Sequence, residues 1–69
     1  MNAQQFADEI NLSHGKDYKS VGIHFTLTDE GETSCSVSLG GLVNVPIESS
    51  DVHKLTVSDI LQQARDNFK

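Results

Sequence analysis

The sequence lacks most of the features that usually stabilise so short a chain. Its 69 residues include one cysteine, one proline and no tryptophan. A single cysteine cannot form an internal disulfide, and the sequence has no cluster with the spacing of a structural zinc site. A chain of this length buries only about 60% of its unfolded surface. The fold must therefore have an efficient core or gain burial from a partner, for example a second copy of the chain.

Long hydrophobic runs are also missing. No apolar run approaches the ~20 residues that a membrane span needs. The N-terminus, residues 1–6, shows no basic region followed by an apolar stretch, so it does not have the pattern of a signal peptide. The lone cysteine fits a reducing compartment. We therefore expect a cytoplasmic protein that makes no contact with a membrane.

Basic residues are scarce. Ten acidic residues against five basic ones give a net charge of −5, and residues 1–32 alone carry six acidic residues and two lysines, a net of −4. Direct binding to nucleic acid is disfavoured, because such affinity comes largely from cationic groups that neutralise phosphates. The acidic first half could contact a basic protein, or it could simply keep the protein soluble.

The hydrophobic periodicity predicts one helix at each end of the chain. Asn2 can cap the first helix and Gly15 can end it. Thr56 can cap the second helix, with Asp59 in position to complete a capping box. The apolar stripes are Ala3, Phe6, Ala7 and Ile10 in the first helix, and Val57, Ile60, Leu61, Ala64 and Phe68 in the second.

Between the helices, alternation of apolar with small or polar residues predicts a β-hairpin. Its three-residue loop would be 29–31, with glycine at the last position, where φ must be positive. This loop pairs Phe25 with Cys35 and His24 with Ser36, and it places every apolar residue of both strands on one face. A slip of one residue would lose that match. We therefore expect Phe25 and Cys35 to pack together in the core.

A third strand is predicted over about residues 42–48, with Pro46 pointing outward on an edge strand. The order α-β-β-β-α predicts a single α+β domain, 1–69, in which two helices pack on one face of a three-stranded antiparallel meander. The opposite face stays open, and it carries His24, Thr26, Ser34, Ser36, Ser38, Asn44 and Pro46.

Catalytic and metal-binding patterns are not evident in the sequence. Cys35 points inward, where a thiol has a raised pKa and little reactivity. His24 and Ser36 are neighbours on the open face, but no acidic residue beside His24 would orient it as a base. The three histidines lie on different elements, so no metal site is indicated. We expect no catalytic residues, no metal and no cofactor.

Two surfaces are candidates for binding a protein partner. The hairpin loop carries Asp29, Glu30 and Glu32, the densest cluster of charge in the chain, which is either an ordinary exposed turn or an acidic prong for a basic surface. The open face offers His24 and Ser36 as contact residues. That face, or an edge strand, could instead support a homodimer.

Two families resemble this chain. The α-β-β-β-α order is that of double-stranded RNA-binding domains, but the start of the last helix, residues 54–59, has one lysine and an acid where those domains are lysine-rich, so RNA binding is not expected. The chain is also similar to small acidic phage-encoded anti-CRISPR proteins. One type has counterparts of residues 1–2, 9–10 and 16–18 at comparable spacing.

The anti-CRISPR resemblance implies an acidic surface that occupies the nucleic-acid-binding site of a CRISPR effector, with Asp29, Glu30 and Glu32 as the contact residues. The leading hypothesis is therefore a non-catalytic, protein-binding inhibitor that mimics nucleic acid. The alternative is a small structural or regulatory domain that dimerises or binds a partner through the open face around His24 and Ser36.

Overall fold

The computed structural model describes residues 1–48 and 52–68. Its elements follow the predicted order α-β-β-β-α, and together they form a small compact α+β fold. They are α1 (Ala3–His14), β1 (Val21–Leu27), β2 (Thr33–Leu39), β3 (Val43–Ile47), a single 3₁₀ turn (Val52–Lys54) and α2 (Val57–Asn67). The sequence predicts a loop with room for one turn of helix over residues 48–54, and residues 49–51 of that loop lie outside the described residues.

The three strands form one antiparallel sheet in the order β1-β2-β3, so β2 is central. The predicted hairpin register is confirmed: Phe25 lies opposite Cys35, and His24 lies opposite Ser36. Between β2 and β3, Pro46 pairs with Ser36 on an edge strand, as the meander requires. All three strands therefore present their apolar residues to the face on which the helices pack.

Both helices begin with a capping box, which explains why they start where they do. The Asn2 side chain accepts a hydrogen bond from the Gln5 backbone N–H (2.8 Å), and the Gln5 side chain accepts one from the Asn2 N–H (2.9 Å). Thr56 and Asp59 exchange the equivalent pair, each 3.1 Å long. These bonds satisfy donors that have no partner within the helix. Gly15 ends α1 with a φ of 62°, which suits glycine.

The core combines both helices with the central strand. Its largest fully buried side chains come from α1, β2, the 3₁₀ turn and α2: Phe6, Val37, Leu39, Val52, Ile60 and Leu61. Val52 lies in the predicted loop over residues 48–54, in the single 3₁₀ turn. Its burial ties the connection between β3 and α2 to the core.

The expected burial of the hairpin was wrong at its loop end. Phe25 is 55% exposed and Leu27 is 73% exposed. β3 ends at Ile47, opposite Cys35, so beyond that point the sheet has only two strands, and the most extensive helix–sheet contacts are those of α2 with β2 and β3. Val57, predicted in the apolar stripe of α2, is also 58% exposed, since it occupies the first helical position.

A further contact fixes the connection between α1 and β1. The Asn11 side chain accepts a hydrogen bond from the Tyr18 backbone N–H (2.8 Å) and donates one to the Tyr18 carbonyl (3.0 Å). Asn11 thus pairs with the Tyr18 backbone as a neighbouring strand would. The Tyr18 ring in turn packs over Gly40, where an added Cβ would lie 3.1 Å from a ring carbon.

We expect Asn11→Ala to lower the free energy of unfolding by about 1–3 kcal/mol, because it leaves two partly buried backbone groups of Tyr18 without partners. Urea unfolding followed by circular dichroism measures the change. Asn67→Ala is the matched control, since it makes the same replacement at an exposed helical site. Equal losses in both variants would contradict a bridging role for Asn11.

Candidate functional site

The hairpin loop between β1 and β2 has the geometry that its residue types predict. The Thr28 N–H donates to the Glu32 carbonyl (2.8 Å), and the Gly31 N–H donates to the Thr28 carbonyl (3.0 Å). The Glu32 N–H also donates to the Thr28 hydroxyl (3.1 Å). Gly31 has a φ of 82°, a conformation that favours glycine. The loop is therefore closed by several hydrogen bonds and presents its acidic residues from a defined backbone.

Asp29, Glu30 and Glu32, which we call the acidic tip, are all exposed. The ion pairs among the described residues lie elsewhere: Arg65 binds Glu9 (3.0 Å) and Asp66 (3.5 Å), and Lys19 binds Asp17 (3.4 Å). Within residues 1–48 and 52–68, no cation neutralises the acidic tip. Its three carboxylates are thus available to an external basic group.

An uncovered apolar strip runs along β1 toward the acidic tip. Ile23 is half-buried, and Phe25 and Leu27 are exposed, so the exposure increases toward the loop. These side chains lie on the same face as the core, because alternate residues of a strand share a face. Apolar surface therefore directly adjoins the acidic surface.

On the open face of the sheet, the His24 side chain contacts Ser38 and not Ser36, the neighbour that the strand register predicts. His24 lies opposite Ser36, but its Nε2 is 3.0 Å from the hydroxyl of Ser38, one pair further along. Gly22 makes room for this diagonal contact, since a Cβ there would lie 2.7 Å from the Ser38 Oγ and 3.0 Å from the His24 Nε2. His24 is exposed and Ser36 is half-buried, and both remain on the uncovered face.

Cys35 is a core residue. Its side chain is 4% exposed, and burial raises the pKa of the thiol. A raised pKa keeps the sulfur protonated near neutral pH, whereas a nucleophile must be the thiolate. The structure therefore gives Cys35 a packing role beside Val37 and Ile47.

The described part of the chain holds no group of three or more His, Cys, Asp or Glu side chains that could bind a metal ion. Two grooves lie beside α1, one along Tyr18 and one along Arg65, and neither is lined by a residue of the acidic tip. Among the helices described, none has the length and apolar character needed to cross a membrane.

Comparisons with protein-family models, with curated proteins and with solved structures gave no match for this chain. Its function must therefore be argued from the sequence and from the geometry of its surfaces.

Proposed function

We propose that this chain is a non-catalytic inhibitor that inserts its acidic tip into a basic, nucleic-acid-binding site of another protein, as the resemblance to small anti-CRISPR proteins implies. Carboxylates on a protein surface can take the positions of phosphates among lysine and arginine side chains. The inhibitor would then compete with nucleic acid for the same cations. A CRISPR effector is the proposed target.

One observation supports this proposal above the others: the acidic tip is at the end of a two-stranded projection. The described residues span 39 × 21 × 18 Å, so one dimension is about twice the other two. The strands extend past the last residue of β3, and the loop is closed by hydrogen bonds to Thr28. A narrow and ordered projection can enter a cleft, and little conformational entropy remains to be lost on binding.

The test is inhibition of DNA cleavage by purified CRISPR effectors loaded with guide RNA, together with direct measurement of binding. The triple variant Asp29→Lys, Glu30→Lys, Glu32→Lys should lose at least about 100-fold in affinity, because attraction becomes repulsion at three positions. The matched control reverses Asp8, Asp17 and Glu48, which are exposed acidic residues outside the tip and change the net charge equally; it breaks the exposed ion pair of Asp17 with Lys19, and such pairs contribute little to stability. The control should keep the wild-type affinity within about threefold.

Unchanged affinity of the tip variant for a bound effector would contradict the proposal. If no effector in the panel is inhibited, the CRISPR target is wrong. Capture of a different nucleic-acid-binding protein from a bacterial lysate would then test the broader statement. That capture must be lost with the tip variant, kept with the control and displaced by added DNA.

A further inference from the structure

The free edge of β1 is an unprotected sheet edge. β1 is at one side of the sheet and β3 is at the other. β3 is short and contains Pro46, both of which discourage further strand pairing. β1 has seven residues, with no proline, lysine or acidic residue among them. Natural proteins usually block such an edge, so an unblocked one indicates a place where another strand can pair.

The backbone groups that face this free edge belong to the residues of the apolar strip. Ser20 and Thr28 both hydrogen-bond toward β2, through Gly40 (2.9 Å) and Glu32 (2.8 Å). In an antiparallel ladder the bonded positions alternate, so the odd-numbered residues between them direct their N–H and C=O groups away from β2. These residues are Val21, Ile23, Phe25 and Leu27. An added strand would thus pair with their backbone and also cover their exposed side chains.

The charges around β1 identify a second copy of this chain as the occupant. If two β1 strands pair antiparallel about a twofold axis at His24, every residue of β1 has a partner, and Ile23 lies beside Phe25 of the other copy. Continued two residues past each end of β1, the same register brings Asp29 of the loop near Lys19 of the second copy, twice in the dimer, where it would compete with Asp17 (3.4 Å) for the Lys19 ammonium group. Opposite charges therefore meet at both ends of an apolar centre.

We propose that the chain forms a symmetric homodimer through β1, in which two three-stranded sheets join into one sheet with all helices on the same face. Phe25 and Leu27, which are exposed, gain apolar neighbours in this dimer. In this register Asp29 is the acidic-tip residue that meets a charge of the second copy, since Glu30 falls opposite Tyr18 and Glu32 borders β2, on the side away from the joined edge. The inference does not depend on the proposed inhibitor function.

The experiment is sedimentation velocity on the purified protein over about 10 µM to 1 mM, a range suited to a small interface. Lys19→Glu and Asp29→Lys should each weaken dimerisation roughly tenfold, since each replaces two attractive contacts with repulsive ones. The double variant Lys19→Glu, Asp29→Lys should recover most of the wild-type affinity, because it exchanges the charges within each pair. Lys54→Glu and Glu48→Lys are the controls, with the same charge changes at exposed sites away from β1.

His24→Lys provides a second test, because it places two ammonium groups next to each other across the twofold axis. It should abolish dimerisation while the circular dichroism spectrum stays unchanged. A protein that remains monomeric at 1 mM would overturn the inference. The inference would also be overturned if the double variant Lys19→Glu, Asp29→Lys dimerised no more tightly than the single variants. The two copies would then meet through another surface. These measurements need no partner protein, so their outcome is separate from that of the inhibition assay.

Discussion

Phe6→Ala is expected to lower the free energy of unfolding by about 3–5 kcal/mol. Phe6 is fully buried, in contact with the core formed by both helices and β2. Removing a buried phenylalanine ring costs about 3–5 kcal/mol, from lost burial and from the cavity that remains. A chain of this size has a free energy of unfolding of about 3–10 kcal/mol. The substitution therefore removes a large share of the total stability.

Phe25→Ala is the matched control for Phe6→Ala, because the same chemical change occurs at a side chain that is 55% exposed. We expect it to lower the free energy of unfolding by about 1–2 kcal/mol. Urea unfolding at low micromolar concentration, where self-association is negligible, measures both variants. Equal losses would show that Phe25 is covered in solution and that the hairpin end packs differently.

The fold was largely predictable from the sequence because local signals agreed with one another. The loop at residues 29–31 needs glycine at a fixed position, and that choice sets the register of the whole hairpin. The register then places all the apolar residues of both strands on one face. Thr56 with Asp59 marks the start of α2 in the same way. Each of these signals depends on neighbours in the sequence, so it can be read without the tertiary structure.

Burial was less predictable, because it depends on how far each layer extends. Alternation correctly places Phe25 on the inner face, yet it says nothing about whether a helix reaches that position. The extent of the third strand decides it, since Ile47 at the end of β3 lies opposite Cys35 in the structure. Phe25 therefore sits at the last level of the sheet that has a third strand beside it, and Leu27 lies beyond it. At Val52 the error is reversed, because this residue is buried although its burial was not predicted. Val52 is an isolated apolar residue in a polar segment and shows no periodicity.

The candidate site was predictable in its residues but not in its contacts. The acidic tip follows directly from the hairpin loop. The diagonal contact between His24 and Ser38 depends on the space above Gly22, which a pairing scheme does not describe. The free edge of β1 likewise emerges only when the hydrogen bonds of Ser20 and Thr28 show which backbone groups point outward.

Cys35 should react with a thiol reagent at least about 100-fold more slowly in the native protein than in guanidinium chloride at the same pH, since labelling requires the structure to open. Two effects act together. The side chain is 4% exposed, which blocks the reagent, and burial raises the pKa of the thiol, which reduces the thiolate fraction. Time-resolved labelling with a disulfide reagent at pH 7–8 measures the ratio.

The control for Cys35 moves the thiol by one residue. A Cys35→Ser, Ser34→Cys variant carries its thiol on the exposed face of the same strand, and it should react at nearly the unfolded rate if it remains folded.

Because the folded-state pKa of Cys35 is raised, its contribution to stability is complete below the pKa of the unfolded thiol. That contribution is lost as the pH rises through the folded-state pKa. The protection of the native thiol should therefore decrease in alkaline solution, and Phe6→Ala should reduce it at neutral pH. A native Cys35 that reacts as fast as the thiol at position 34 would contradict its place in the core.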